Sequence, residues 1–352
     1  MRHRLVYRPR LLLIALGCGF AAGAMAQGSH SIYGIVDLYA GSIRGSSQSS
    51  RLDEGGHTAS RLGFRGREDL GGGLNAHYTL EMGLGVDTGT IPLGGGFGRQ
   101  AFVGLGSRAH GQVDLGLQYT PVFFQLLRTA AFGMNTNWAP IQVISRADSQ
   151  GAAVAANAPA LRLPNMLRYR YGTASSGLSL DMAFAPGEQS QSRGNMGSLA
   201  IAYQGGSYWL GLSTQRVRSG TGASAPGSTY IHALSGYWQP NALKLSLNYI
   251  ITGSTAQGTL AARHLVAGLQ YRWGPHALLA EVARRDVRHS PNDALIATLG
   301  YDYSLSKRTR LYGRLMHVNN KAGAAVSMAT ATVAGGSGDN VRGIAMGMMH
   351  SF

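Results

Sequence analysis

Apolar and polar residues alternate along most of this chain, in runs of roughly ten positions separated by clusters of glycine, serine, proline and asparagine. Successive side chains of an extended strand point to opposite faces, so each run has one greasy side and one wet side. In SIYGIVDLYAG (31–41), Ile32, Val36 and Leu38 share one parity and Asp37 takes the other. In ASRLGFRGRE (59–68), Leu62 and Phe64 lie opposite Arg61, Arg65 and Arg67. Leu178, Leu180, Met182 and Phe184 line one side of LSLDMAFAPG. Leu243, Leu245, Leu247 and Tyr249 line one side of LKLSLNYIIT, with Lys244, Ser246 and Asn248 on the other. Three arginines on one strand face require water on that face.

The pattern predicts about sixteen strands. Short turns such as DLGGG (69–73), GGS (205–207), PNA (240–242) and LSKR (305–308) alternate with longer polar loops. Short connections on one side, long ones on the other and one apolar face per strand describe an outer-membrane barrel, whose lipid-facing and lumen-facing residues alternate. A soluble sandwich of this length is the alternative, and it would have to bury two apolar faces. Aromatic residues near strand ends, among them Tyr169, Tyr171, Tyr208, Trp238 and Trp273, suit an interfacial girdle. The fold class expected is all-β, a 16-stranded antiparallel transmembrane β-barrel.

Composition agrees. Fifty-one glycines and eleven prolines in 352 residues, with no long helical periodicity, describe a chain of many turns. The first residues stand apart: MRHRLVYRPR carries four arginines and no acid, LLLIALGCGF is apolar, and Ala24-Met25-Ala26 follows. That is a secretory leader, so a signal peptide over 1–26, cut near Ala26, and a barrel over 27–352 are expected. Its apolar run is too short to cross a bilayer as a helix, which takes about 20 residues. Cys18 is the only cysteine, so the mature chain must hold its fold without disulfides. Acylation at Cys18 is the lesser reading, because Ala15-Leu16-Gly17 lacks a Leu three residues before the Cys.

The formal net charge of +15 falls by four with the leader. Nucleic acid is not the partner this implies, since the arginines come singly through alternating segments and the chain is exported. No G-x-S-x-G, H-E-x-x-H, C-x-x-C or P-loop sequence occurs. The histidines, including His57, His264 and His350, are scattered without metal-ligand spacing, and Gly94–Gly96 is a loop with no helix behind it to cradle phosphate. No catalytic residue, metal site or cofactor is expected.

Two stretches, SRLGFRGREDLGGGLNAHYTLE (60–81) and FGRQAFVGL (97–105), combine inward arginines, a tight glycine turn and strand alternation. They resemble the general-diffusion porins of Gram-negative outer membranes, the trimeric 16-stranded type, and the resemblance covers essentially the whole chain. It implies a homotrimer in the outer membrane, surrounded by membrane lipid and lipopolysaccharide, with the early strands at the subunit contact and the loop from Thr88 to Gly96 reaching a neighbour. It implies passive diffusion of small hydrophilic solutes through a water-filled pore. The final residue, Phe352, on the parity of Ile344, Met346 and Met348, is similar to the assembly signal of such barrels.

The alternating rhythm breaks between Tyr119 and about Asn165. So long an interruption is uncommon and usually functional. It carries Arg128, Arg146 and Arg162 against one acid, Asp148. Our reading is that this segment folds into the bore and constricts it; an external loop is the alternative. In the porins this chain resembles, such a loop faces a ladder of basic wall residues. Arg61 and Arg162 match two of these, and Arg65 and Arg168 share their inward parities. Where the family usually has Arg before Gln-Tyr on the fifth strand, this chain has Leu117.

Few acids oppose these arginines, so an anion preference is expected. Pairing with Asp37, Glu68, Asp69 or Glu81 would weaken it. A channel selective for phosphate or an organic anion, and an adhesin barrel, are the alternatives.

Overall fold

The computed structural model describes residues 28–141, 161–173, 176–188, 193–220, 227–328 and 338–352. Seventeen strand segments run in chain order. The first half comprises β1 (Ser29–Arg44), β2 (Gln48–Glu54), β3 (Arg61–Gly71), β4 (Leu74–Gly83), β5 (Gln100–Ser107), β6 (Gly111–Tyr119), β7 (Arg162–Thr173) and β8 (Ser176–Ala185). The second comprises β9 (Arg193–Gly205), β10 (Tyr208–Ser219), β11 (Ser228–Trp238), β12 (Leu243–Ser254), β13 (Ala262–Trp273), β14 (His276–Val287), β15 (Ala294–Ser304), β16 (Thr309–Asn320) and β17 (Val341–Ser351). A helix, α1 (Pro121–Thr129), follows β6.

Every strand pairs antiparallel with its neighbours, and β17 returns to β1 over the register Ile35↔Ser351 to Arg44↔Arg342. The sheet is therefore closed, which leaves no unpaired edge facing hydrocarbon along this seam. Reciprocal bonds between Gly34 and Phe352, each 3.1 Å, extend the seam to the last residue. Seventeen segments fill sixteen positions, because β2 pairs with the upper half of β1 (Leu38–Arg44) and β3 with its lower half (Ser29–Ile35). Residues 48–54 form a strand although their Ser-rich sequence, QSSRLDE, has no two-residue apolar repeat.

The predicted faces hold. Leu178, Met182, Phe184, Leu245, Leu247, Ile344, Met346 and Met348 all point outward and are exposed on the isolated chain, Met346 at 72%. Their partners of opposite parity point into the lumen, as Asp37, Asn248, Glu281 and Arg314 do. Lipid is the medium in which such an outer surface is satisfied.

The broken second position is a built feature. Residues 55–60 swing inward and are tied to Asp37, whose Oδ2 accepts from the amides of His57 (2.8 Å) and Thr58 (2.6 Å). Tyr312 donates its hydroxyl to Oδ1 of the same carboxylate. Gly56 has to be glycine here, since a Cβ would sit 2.3 Å from the Tyr312 hydroxyl.

Candidate functional site: the basic lining of the lumen

The described part of the interrupted stretch, residues 120–141, lies against the inner wall of the barrel. Thr120 caps α1 by accepting from the Phe123 amide (3.4 Å), and Pro121 follows at the first helical position, where its missing N–H is harmless. That Thr-Pro signal was present in the sequence; PVFFQLLRT was hidden because a nine-residue helix shows too few turns to establish a period. Val122, Phe123 and Leu126 are buried against the inner wall, with α1 touching β8 to β12. Each such side chain contributes about 1.5–3 kcal/mol on burial. Gln125 donates to the Ala233 carbonyl (3.3 Å) and the Thr129 hydroxyl to Asn248 Oδ1.

Beyond α1 the chain continues around the wall. Glu281, 1% exposed on the inner face of β14, accepts from the amides of Ala131 (2.6 Å) and Ile141 (3.0 Å). Gln270 donates to the Ala131 carbonyl (2.6 Å), and Thr136 to the Gly56 carbonyl (3.1 Å), so the loop and the inward kink hold each other. Trp138, Met134 and Ile141 are buried in one cluster with wall residues Ile250, Val266, Ile296 and Val318. These inward apolar wall residues are the mark of a covered wall.

Three arginines converge on the wall beside the loop. Arg99 donates from Nε to Glu81 Oε1 (2.8 Å) and from Nη2 to the Tyr119 hydroxyl (2.9 Å). Arg162 donates to the same hydroxyl (3.2 Å) and lies over the Tyr119 ring at 5.2 Å. Arg61 stands 3.9 Å from Glu81 and is aimed by the Thr58 hydroxyl (2.6 Å) and the Ala59 carbonyl (3.2 Å). Tyr33 donates to the other oxygen of Glu81 (2.9 Å). Two guanidinium groups face one carboxylate, and the third joins them through the Tyr119 hydroxyl.

Arg61 and Arg162, expected on one ladder, are thus brought together. Arg65 is set apart, donating to the Ser31 hydroxyl (3.0 Å) and stacking over Tyr33 at 5.1 Å. Arg168 is inward but paired, with Asp181 accepting from its Nε at 2.8 Å and from Nη2. Asp181 lies on β8, facing Arg170 in the pairing register, and parity alone did not reveal it. Arg128, in the last turn of α1, lies over Trp209 at 5.8 Å. Arg146 and Asp148 lie outside the described residues.

Sequence reasoning missed Arg99. It lies in the motif FGRQAF and reaches Tyr119, two residues beyond Leu117. It missed Arg310 and Arg314, which flank Asp302 at 3.8 and 2.6 Å.

A closed sixteen-strand barrel, greasy outside and lined inside by guanidinium groups, is the architecture of a channel of the outer membrane. The chain belongs to the Gram-negative porin family, whose pattern matches residues 12–323. It is 32% identical to the outer membrane porin protein 32 of Delftia acidovorans, over 97% of this chain and 99% of that protein. It is 26% identical to the major outer membrane protein P.IB of Neisseria gonorrhoeae, over 74% of this chain and 78% of that one. Among solved structures, the anion-selective porin from Comamonas acidovorans superposes with a TM-score of 0.82 at 25% identity, covering 93% of this chain and 100% of that one. OmpT of Vibrio cholerae in its trimer form shares the fold, with a TM-score of 0.69 at 14% identity over 92% and 99% of the two chains.

Proposed function

We propose that this porin passes small hydrophilic solutes by passive diffusion and favours anions, with residues 120–141 narrowing the bore against Arg61, Arg99 and Arg162. The observation that carries the reading is the convergence of three guanidinium groups beside a single carboxylate: Arg61 and Arg99 face Glu81 while Arg162 is held by the Tyr119 hydroxyl, which leaves a surplus of two positive charges. An anion roughly 8 Å from each gains about 0.5 kcal/mol per charge in a water-like dielectric, and a cation loses as much. Two charges then separate anion from cation by about 2 kcal/mol, roughly thirtyfold before salt screening. The anion selectivity named for the Comamonas protein supports the same sign.

Arg65 and Arg128 extend the positive lining below this point, Arg168 being balanced by Asp181, and Arg146 and Asp148 belong to the same loop by sequence. The functional unit is a homotrimer, a reading supported by the trimeric relative, with the loop from Thr88 to Gly96 reaching a neighbouring subunit. Lipid and lipopolysaccharide cover the outward leucines, and the mature chain begins near Gln27 after removal of 1–26.

Reversal potentials across a KCl gradient, measured on refolded protein in a planar bilayer, test the charge reading. Anion preference in the wild type that falls in Arg61→Ala/Arg162→Ala is expected; cation preference in the wild type would reject it. A folded barrel that passes no current would point to the adhesin alternative.

A further inference from the structure

The lumen side of α1 is largely apolar, with one arginine. Val122, Phe123 and Leu126 turn to the wall, leaving Phe124, Leu127 and Arg128 partly exposed to the lumen at the i, i+3, i+4 spacing of one helix face. Phe124 and Leu127 pack on one side against the buried cluster, Phe124 edge-on to Tyr119 and Phe123, and offer the rest of their apolar surface to the lumen. Below them lies a cavity of about 1020 Å³, on the side of the barrel where short turns join the strands. Its lining brings Phe124 and Leu127 together with Arg67, Arg108, Arg128 and Arg170.

The charges here are only partly matched. Asp114 accepts from Arg170, and Asp181 is taken by Arg168. Among the described residues no carboxylate pairs with Arg67 or Arg108, both of which are exposed. The Arg168 guanidinium already stacks over Phe124, 4.4 Å from the ring centroid, so a flat apolar surface and fixed positive charge meet at one point. Such a wall recognises a flat apolar body through contact with Phe124 and Leu127, and a carboxylate through guanidinium groups that hold it by paired hydrogen bonds.

We propose that this lower vestibule is a binding site for aromatic carboxylates, which the pore retains more strongly than small aliphatic ones. The inference rests on the anion-preferring reading above. It makes the vestibule a place where permeation slows for one chemical class, separate from the narrowing at Arg61, Arg99 and Arg162. The site is open to the short-turn side, so entry from that side meets no constriction first.

The test uses refolded full-length mature protein in a planar bilayer, with KCl as carrier and benzoate or acetate added to one side at a time. Benzoate is expected to halve the current at a concentration at least tenfold below that of acetate, and at a lower concentration from one side than from the other. Leu127→Gln and Phe124→Ser, each checked for channel formation, are expected to bring the benzoate-to-acetate ratio towards one. Equal block by the two acids in the wild type overturns the proposal without any variant. A benzoate preference that survives in both variants overturns the assignment to this face. Loss of chloride preference in the wild type would sink the anion reading, whereas chloride preference with equal block sinks only the vestibule site.

Discussion

Glu281 offers the sharpest test of how the loop is held. Its carboxylate is the shared acceptor for the amides of Ala131 and Ile141, at 2.6 and 3.0 Å, so one side chain ties down both ends of an eleven-residue stretch. Glu281→Ala leaves two buried donors without partners. At about 1–3 kcal/mol for each, the local cost is roughly 2–6 kcal/mol. The lower bound corresponds to about a thirtyfold rise in the open population of the loop. Glu281→Gln keeps one acceptor oxygen but turns an NH2 towards the second amide, so about half that cost is expected.

Amide hydrogen exchange of the refolded barrel reads this directly, because local opening and global unfolding separate by region. Protection within 130–141 is expected to fall in the order wild type, Glu281→Gln, Glu281→Ala. The ladders of β1, β16 and β17, which close the barrel without Glu281, are expected to keep theirs. Single-channel current through Glu281→Ala is expected to be noisier, as the loop leaves the wall. Protection of 130–141 in Glu281→Ala within about threefold of wild type would refute the reasoning. So would a loss spread evenly over all strands.

Other consequences follow from the same geometry. Asp37→Ala strands the His57 and Thr58 amides and the Tyr312 hydroxyl, a cost of at least about 3 kcal/mol, whereas Tyr312→Phe removes one bond worth about 1 kcal/mol; urea midpoints in detergent are expected to rank them so, and equal shifts would contradict the account of the kink. A Cβ at Gly34 would lie 2.2 Å from the Phe352 ring, so Gly34→Val is expected to unseat that ring and lower refolding yield. In a Phe352→Ala background the Gly34→Val penalty is expected to shrink, and an undiminished penalty would show that the ring is not its cause. Arg99→Ala frees Glu81 to oppose Arg61, so its reversal potential is expected to move towards zero more than that of Arg65→Ala, whose guanidinium lies away from the cluster.

The amino-acid order by itself determined the two-faced strands, the turn rhythm, the closure residue Phe352 and the long interruption after Tyr119, because side-chain alternation is a local property of extended backbone. The same local logic put Arg61 and Arg65 on one wet face, while Arg162 was expected on the lumen side from the resemblance to porins and Arg168 from sharing its parity. Which of these charges stay available was decided only when the sheet closed. Strand pairing sets Asp181 diagonally across from Arg168, within reach of its guanidinium, and Arg99 reaches Tyr119, contacts between strands that no parity count contains. Helix α1 and the broken second strand position escaped notice for a related reason: both are stabilised by the wall they pack on, through Glu281, Asp37 and a buried apolar cluster, and that wall exists only in the folded barrel.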